Sequence, residues 1–350
     1  WAFLLAMFAD WLQGPYVYEL YVSYGFTQTQ IAELFVCGFG SSVIVGTFVG
    51  GLADKYGRKN MCILYCLCYM GACFTKLVPQ YWFLMLGRFL SGIATSLLFS
   101  VFESWMVCEH TKQGFDPSLL GDTFSAATFG NGVVAVAAGL IANLAAQSFG
   151  YVAPFVVAMV PLAIVGYIVS TSWNENYGNQ SSSGMSSLIK GFQLIQQNPR
   201  IAALGLAQSC FEGGMYTFVF MWTPALKTIE EMTAEESGTA GATDGLETTA
   251  QYLGLIFAVY MVCVMLGSTL FKMYTSLSPD NVYKLPLYIH GCAFLCMLIT
   301  SFCVGKYPTI VYLMFLVFET SVGVFYPAYG TIKSEKIPEE IRSAVMNIFR

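Results

Sequence analysis

The sequence predicts an all-α membrane protein made of two helical bundles, the second of them truncated. Three observations carry that expectation. The chain of 350 residues is 56% hydrophobic and 11% charged, with a mean hydropathy of +0.61, whereas soluble domains hold about 45–50% apolar and about 25% charged residues. Apolar runs long enough to cross a bilayer follow one another along the chain. Basic residues gather at alternate turns between those runs, as cytosolic loops do. The net charge of −5 says little about partners, because its distribution matters more than its sum in such a chain.

The runs predict the elements in order. The first covers about Trp1–Tyr21, the second Thr29–Ala53 and the third Asn60–Val78. The fourth covers about Tyr81–Cys108, the fifth Gly121–Ser148 and the sixth Tyr151–Trp173. A polar segment, Asn174 to Pro199, contains Gln180-Ser181-Ser182-Ser183-Gly184 and has the make-up of a linker. Runs resume at Ile201–Leu226, Ala250–Tyr274, Leu285–Val304 and Thr309–Ile332, and an eleventh begins near Glu340, after Pro338. The expected domains are therefore a bundle over 1–173, a cytosolic linker over 174–199 and a second bundle over 200–350. The chain starts at Trp1 without a Met and ends at Arg350 near a helix start, so it reads as a fragment, with no cleavable signal peptide in view.

With both ends of the first bundle cytosolic, the inner loops hold Lys55, Arg58, Lys59, Lys112, Lys190, Arg200, Lys272, Lys284, Lys333, Lys336 and Arg342. The outer loops hold only Lys76, Lys227 and Lys306, a clear positive-inside bias. Glu230, Glu231, Glu235, Glu236, Asp244 and Glu247 then fall outside. This topology puts the Asn179-Gln180-Ser181 sequon in the cytosol, where it would not be glycosylated. The 11 cysteines all lie in or beside apolar runs without His at ligand spacing, so they read as packing residues, with no metal site expected.

Most of the chemistry sits at the turn Gly50-Gly51-Leu52-Ala53-Asp54-Lys55-Tyr56-Gly57-Arg58-Lys59, where charge is concentrated in a chain otherwise poor in it. Its spacing resembles the loop between the second and third helices of the major facilitator superfamily. Arg88-Phe89-Leu90-Ser91-Gly92 resembles the fourth-helix pattern of the same superfamily, an Arg followed by Gly one turn later. Such a six-plus-six plan should leave traces of internal repetition. Phe99 to Ser104 matches Phe315 to Thr320 by letters, but aligning Arg88-x-x-x-Gly92 with Glu319-x-x-x-Gly323 places comparable helix starts together and is preferred.

Ionisable residues inside a span cost roughly 2.5–3.5 kcal/mol each on insertion scales, so each needs a reason. Asp10 and Gln13 share a face of the first helix, beside Pro15, which removes a backbone hydrogen bond there. Arg88 lies too deep to reach headgroups easily, and a guanidinium in low dielectric is a good oxyanion receptor. It could instead be a packing salt bridge, with Asp10, Glu212 or Glu319 as partner. Glu103 and Glu109 fall near the cytosolic end of the fourth run, where pairing with Lys55, Arg58 or Lys59 would make an inner gate. Asn131 sits among Gly130, Gly132 and Gly139, either packing helices or touching solute. Gln208 and Glu212 share a face of the seventh run at i, i+4. Gly130 and Gly139 give G-x8-G, which drug antiporters of the superfamily extend with Gly-Pro; here Asn143 and Leu144 follow, which weighs against an antiporter of that kind.

A narrower resemblance covers the whole chain. Ala9-Asp10-Trp11-Leu12-Gln13-Gly14-Pro15-Tyr16, Phe102-Glu103-Ser104-Trp105, Trp173-Asn174-Glu175-Asn176-Tyr177, Trp222-Thr223-Pro224 and Asn347-Ile348-Phe349-Arg350 are similar to the molybdate-anion transporter branch of that superfamily. The resemblance implies a twelve-helix carrier, in the plasma membrane, that brings molybdate into the cell; the rest of an eleventh helix and a twelfth would follow Arg350. On that reading Arg88 attracts the anion, with Gln13, Tyr16, Asn131 and Gln208 donating hydrogen bonds. An inside-negative membrane opposes a dianion by about 2.3 kcal/mol per charge per 100 mV, so roughly 4.6 kcal/mol must be offset. Proton entry would do this, with Asp10, Glu212 or Glu319 as carriers, and Asp54, Arg58, Lys59 and Glu103 as gate. A sulfate carrier, a carrier of another small solute, or a non-transporting sensor with the same fold stay open. No nucleophile–base pair or phosphate loop appears, so neither an enzyme, a cofactor nor a nucleic-acid partner is expected.

Overall fold

The computed structural model describes residues 1–116, 118–178, 184–236, 246–304, 306–337, 345, 348 and 349, and these are helical apart from short turns and connectors. The first expected span is three pieces: α1 (Ala2–Gln13), a 3-10 turn (Gly14–Tyr16) and α2 (Val17–Ser23). Pro15 has no N–H and its ring crowds the carbonyl four residues back, so the rod tightens there. α3 (Gln28–Tyr56) starts in a capping box made by Thr27 and Gln30. α4 (Arg58–Thr75) follows after one residue.

The fourth run, expected as one helix, is two: α5 (Tyr81–Leu98) and α6 (Val101–Lys112). The break has a local cause. The hydroxyls of Ser91, Thr95, Ser96, Ser100 and Ser104 all donate to carbonyls three or four residues back, and such side-chain competition bends helices. α7 (Ser118–Phe149) and α8 (Ala153–Ser172) complete the first set. α9 (Gly184–Gln197) occupies much of the expected linker, and its Leu194 and Ile195 pack on a cluster of Ile201, Ile337, Val345 and Phe349. Then come α10 (Pro199–Glu236), α11 (Leu246–Leu277), a 3-10 segment (Pro279–Lys284), α12 (Leu285–Cys303) and α13 (Pro308–Lys336).

Among the described residues, 7 helices are long and apolar enough to cross a membrane, counting Tyr81–Lys112 as one. The first, third and seventh expected runs are helical as well, as α1 with α2, α4 and α10, but are interrupted or more polar. The sequon at Asn179, Asp244, Arg342 and the run starting at Pro338 and Glu340 lie outside the described residues, as do the side chains of Glu230, Glu231, Glu235, Glu236 and Glu247.

The chain forms two compact units, Trp1–Phe192 and Gln193–Arg350. In the first, α3 packs on α5, α4 on α5 and α8, and α1 on α7 and α8. In the second, α11 and α12 pack on α13, with α10 against α11 and α13. The two units repeat one close contact. Gly92 of α5 lies against the Gly38 carbonyl and Ser41 of α3, so a Cβ there would overlap backbone. Gly323 of α13 lies in the same way against the Val264 carbonyl of α11. This places Arg88-x-x-x-Gly92 opposite Glu319-x-x-x-Gly323, the register set by helix starts.

Gly92→Leu should push α3 from α5 and cost about 1–3 kcal/mol, the usual range for overpacking. Thermal unfolding in detergent should show a lower Tm with a less monodisperse protein; an unchanged Tm would show that this contact is loose.

Candidate functional site

At one end of the first unit, a polar clasp explains the residues of the Gly50–Lys59 turn. Gly57 adopts φ 95°, a conformation that side chains resist, and turns α3 directly into α4. The Glu175 carboxylate caps α4 from a distant part of the chain, accepting the N–H of Lys59 at 2.8 Å and of Asn60 at 3.2 Å. Four N–H groups are orphaned at any helix start, and an anion there also meets the positive end of the dipole. The Arg58 N–H donates to the Asn176 carbonyl at 3.0 Å, and Lys59 Nζ to the Ser170 carbonyl at 2.9 Å. Trp105 stacks on Trp173 with centroids 3.7 Å apart and donates to the Asn174 carbonyl.

Arg58 donates to Asp54 at 2.8 Å and to the Ser104 carbonyl at 3.0 Å. The expected pairing of Glu103 with a basic residue of this turn is therefore not what forms; Asp54, one helical turn before Arg58, reaches it first. Glu103 is exposed and shares with Arg58, Cys108, Lys112 and Tyr177 the lining of a cavity of about 680 Å³. Arg88 does not line that cavity.

Arg88 sits on α5 where α3 comes closest. Its Nε donates to the Leu34 carbonyl at 3.1 Å, and its guanidinium lies 4.9 Å from the centre of the Phe35 ring. The group rests over Gly38, where an added Cβ would stand 2.6 Å from Nη2. Among the described residues, no carboxylate lies within ion-pair distance of Arg88, so Asp10, Glu212 and Glu319 are not its salt-bridge partners. A half-buried cation is thus held by a carbonyl and a ring alone.

The polar face of α1 is bonded into its neighbours. Tyr69 of α4 donates to Asp10, and Tyr65, one turn earlier, donates to the Ala6 carbonyl at 3.0 Å. The Gln13 amide is buried and turned back on the Ala9 carbonyl at 3.2 Å. Trp11 donates to Asn131 of α7 at 2.8 Å, and Tyr16 donates to Asn143 at 3.0 Å. Asn143 is the residue that departs from the antiporter pattern, and here it ties α7 to the opened part of the first rod. Asp10 thus faces α4, Tyr16 and Asn131 lie at the contact of the first rod with α7, and Gln13 turns back on its own helix, while Arg88 stands between α3 and α5.

In the second unit, the Gln208 amide nitrogen donates to Glu212 at 2.8 Å, both residues nearly fully buried, and the Gln208 oxygen and the second Glu212 oxygen have no partner among the described residues. Glu319 is buried on α13 with no ion pair among the described residues, near Tyr260. His290, which sequence spacing left without a role, joins α12 to α10 through the Ala207 carbonyl, 2.9 Å from Nε2.

A family described as sugar transporters, 12 TM, matches residues 1–319. A molybdate-anion transporter of Takifugu rubripes is 34% identical over 100% of this chain and 75% of its own length. One of Xenopus tropicalis is 36% identical over 99% of this chain and 73% of its own. The chain belongs to the molybdate-anion transporter branch of the major facilitator superfamily. It is a multi-pass integral membrane protein and a transporter. A mutant form of the nucleoside transporter NupG shares the fold, with TM-score 0.78 at 13% identity over 99% of this chain and 85% of that one. A bacterial homologue of the human lysosomal transporter Spinster, inward-facing and occupied, gives TM-score 0.68 at 14% identity over 99% and 76%.

Sequence reasoning missed the partners of four side chains of this branch member. Tyr69 gave no signal, because Tyr in apolar runs is common, and Asn143 was read only as a departure from the antiporter pattern. Lys76 was counted with the outer loops, yet it is buried to 2% exposure. Glu175 lay in a stretch of recognised resemblance, although nothing local showed what it caps.

Glu175→Ala should remove the α4 cap and destabilise the protein by about 0.5–2 kcal/mol, the range for lost caps. Glu175→Gln should fall between, and the check is thermal unfolding of the purified variants.

Proposed function

We propose that the protein carries molybdate into the cell across the plasma membrane by alternating access, with protons entering alongside. The observation that supports an anion over the sugars of the family description is Arg88, a cation inside the bundle without a carboxylate partner among the described residues. A neutral sugar gives no reason to keep such a group in low dielectric, whereas a doubly charged oxyanion does. Gln13, Tyr16, Asn131 and Gln208 would supply hydrogen bonds once their internal partners are exchanged for solute. Asp10, Glu212 and Glu319 would carry the protons; Glu319, buried and without an ion pair among the described residues, is the plainest candidate in the second unit. Asp54, Arg58, Lys59 and Glu103 would gate the inner end, with the Asp54–Arg58 pair as its fixed part.

Uptake of labelled molybdate should fall at least about tenfold in Arg88→Ala, the scale of one lost charge-assisted contact. Gly38→Ala should weaken uptake too, since the new methyl would displace the guanidinium without removing its charge. Vesicles with imposed gradients check the coupling, and indifference to the pH gradient would remove the proton part. Competition by sulfate measures selectivity between the two dianions.

A further inference from the structure

Resting on that reading of an oxyanion substrate, we infer that Lys76 and Tyr21 join Arg88 in a two-cation site for a tetrahedral dianion near the outer end of the first unit. Packing places the three side chains together. Thr75 at the end of α4 presses on Gly87 of α5 so closely that a Cβ there would overlap it. Lys76 and Arg88 are the next residues on each side of that contact. Tyr24 donates to the Lys76 carbonyl at 2.5 Å. Tyr21 stands one turn before Tyr24 on the same face of α2, so it turns toward this junction.

The chemistry of the group calls for an anion. Lys76 is 2% exposed, and among the described residues its Nζ has only the Ala72 carbonyl at 3.3 Å and the Phe155 ring at 5.0 Å. An ammonium has three donors, so this environment leaves it short of acceptors. A lysine that merely caps α4 and meets its dipole would do so from water, as lysines at helix ends do. Burial beside a second cation is unfavourable by itself, and no carboxylate offsets it within ion-pair distance among the described residues. The Tyr21 side chain is fully buried, and its hydroxyl has no hydrogen-bond partner among the described residues. Two positive charges and one unused O–H donor match an oxyanion that carries two negative charges and several acceptor oxygens.

The test is binding of molybdate, sulfate and nitrate to the purified protein, by calorimetry, in wild type and in Lys76→Met, Lys76→Arg and Tyr21→Phe. Lys76→Met should weaken molybdate about tenfold and narrow the preference for dianions over nitrate, while Lys76→Arg restores most of the affinity. Tyr21→Phe removes no internal hydrogen bond, so it should fold as wild type and bind several-fold more weakly. Wild-type affinity in both Lys76→Met and Tyr21→Phe overturns the site while leaving the molybdate reading intact. If Lys76→Met does not fold, Tyr21→Phe decides, and unchanged binding there overturns the site. Sulfate binding that depends on Lys76, with no molybdate binding in wild type, keeps the site and overturns the substrate.

Discussion

The guanidinium of Arg88 occupies the space that a side chain at position 38 would fill. That one substitution of cation for side chain sets much of the first unit. α3 and α5 can approach only because Gly38 and Gly92 offer bare backbone to each other, and the approach brings the Leu34 carbonyl and the Phe35 ring onto the cation. Close packing through glycine is common where helices meet in lipid, since no hydrophobic force draws them together there. Here the same contact also fixes where a positive charge sits. The second unit keeps the packing but not the charge: Gly323 meets Val264 as Gly92 meets Gly38, while Glu319 stands one turn before it. With a cation in one half and an acid in the other, the repeat keeps its packing while its charge differs.

Much of this was legible in the residues themselves. Membrane architecture followed from apolar length. The Gly50–Lys59 turn was recognised because glycines, an acid and two bases must fall at set positions, and the structure gives Asp54, Arg58 and Lys59 partners. Arg88 stood out by its place well inside the fourth run, and it is half-buried between α3 and α5. The break after Leu98 was less visible, since serine and threonine read as mild helix residues until their hydroxyls are seen bonding backward in series.

Partners across the fold were the least legible. Nothing near Glu175 says that it caps a helix beginning at Arg58, because the pairing joins segments far apart in sequence. Lys76 shows the same limit. By sequence it is a basic residue at the end of an apolar run, and only the packing of α2, α5 and α8 around it reveals its burial. Glu103 also had a plausible partner in Arg58, yet a residue four positions earlier across the Gly57 turn, Asp54, was nearer. Local geometry won over a longer reach, as it does where ordering a long side chain is costly.

The interruption at Gly14-Pro15-Tyr16 gives the first rod a joint. Below it, α1 is bonded sideways to α4 and α7 through Asp10 and Trp11, and packs on α8; above it, α2 leans on α3. Both levers also grip α4, the lower through Tyr69 and the upper through the Lys76 carbonyl that Tyr24 reaches. One neighbouring helix therefore spans the joint and splints it.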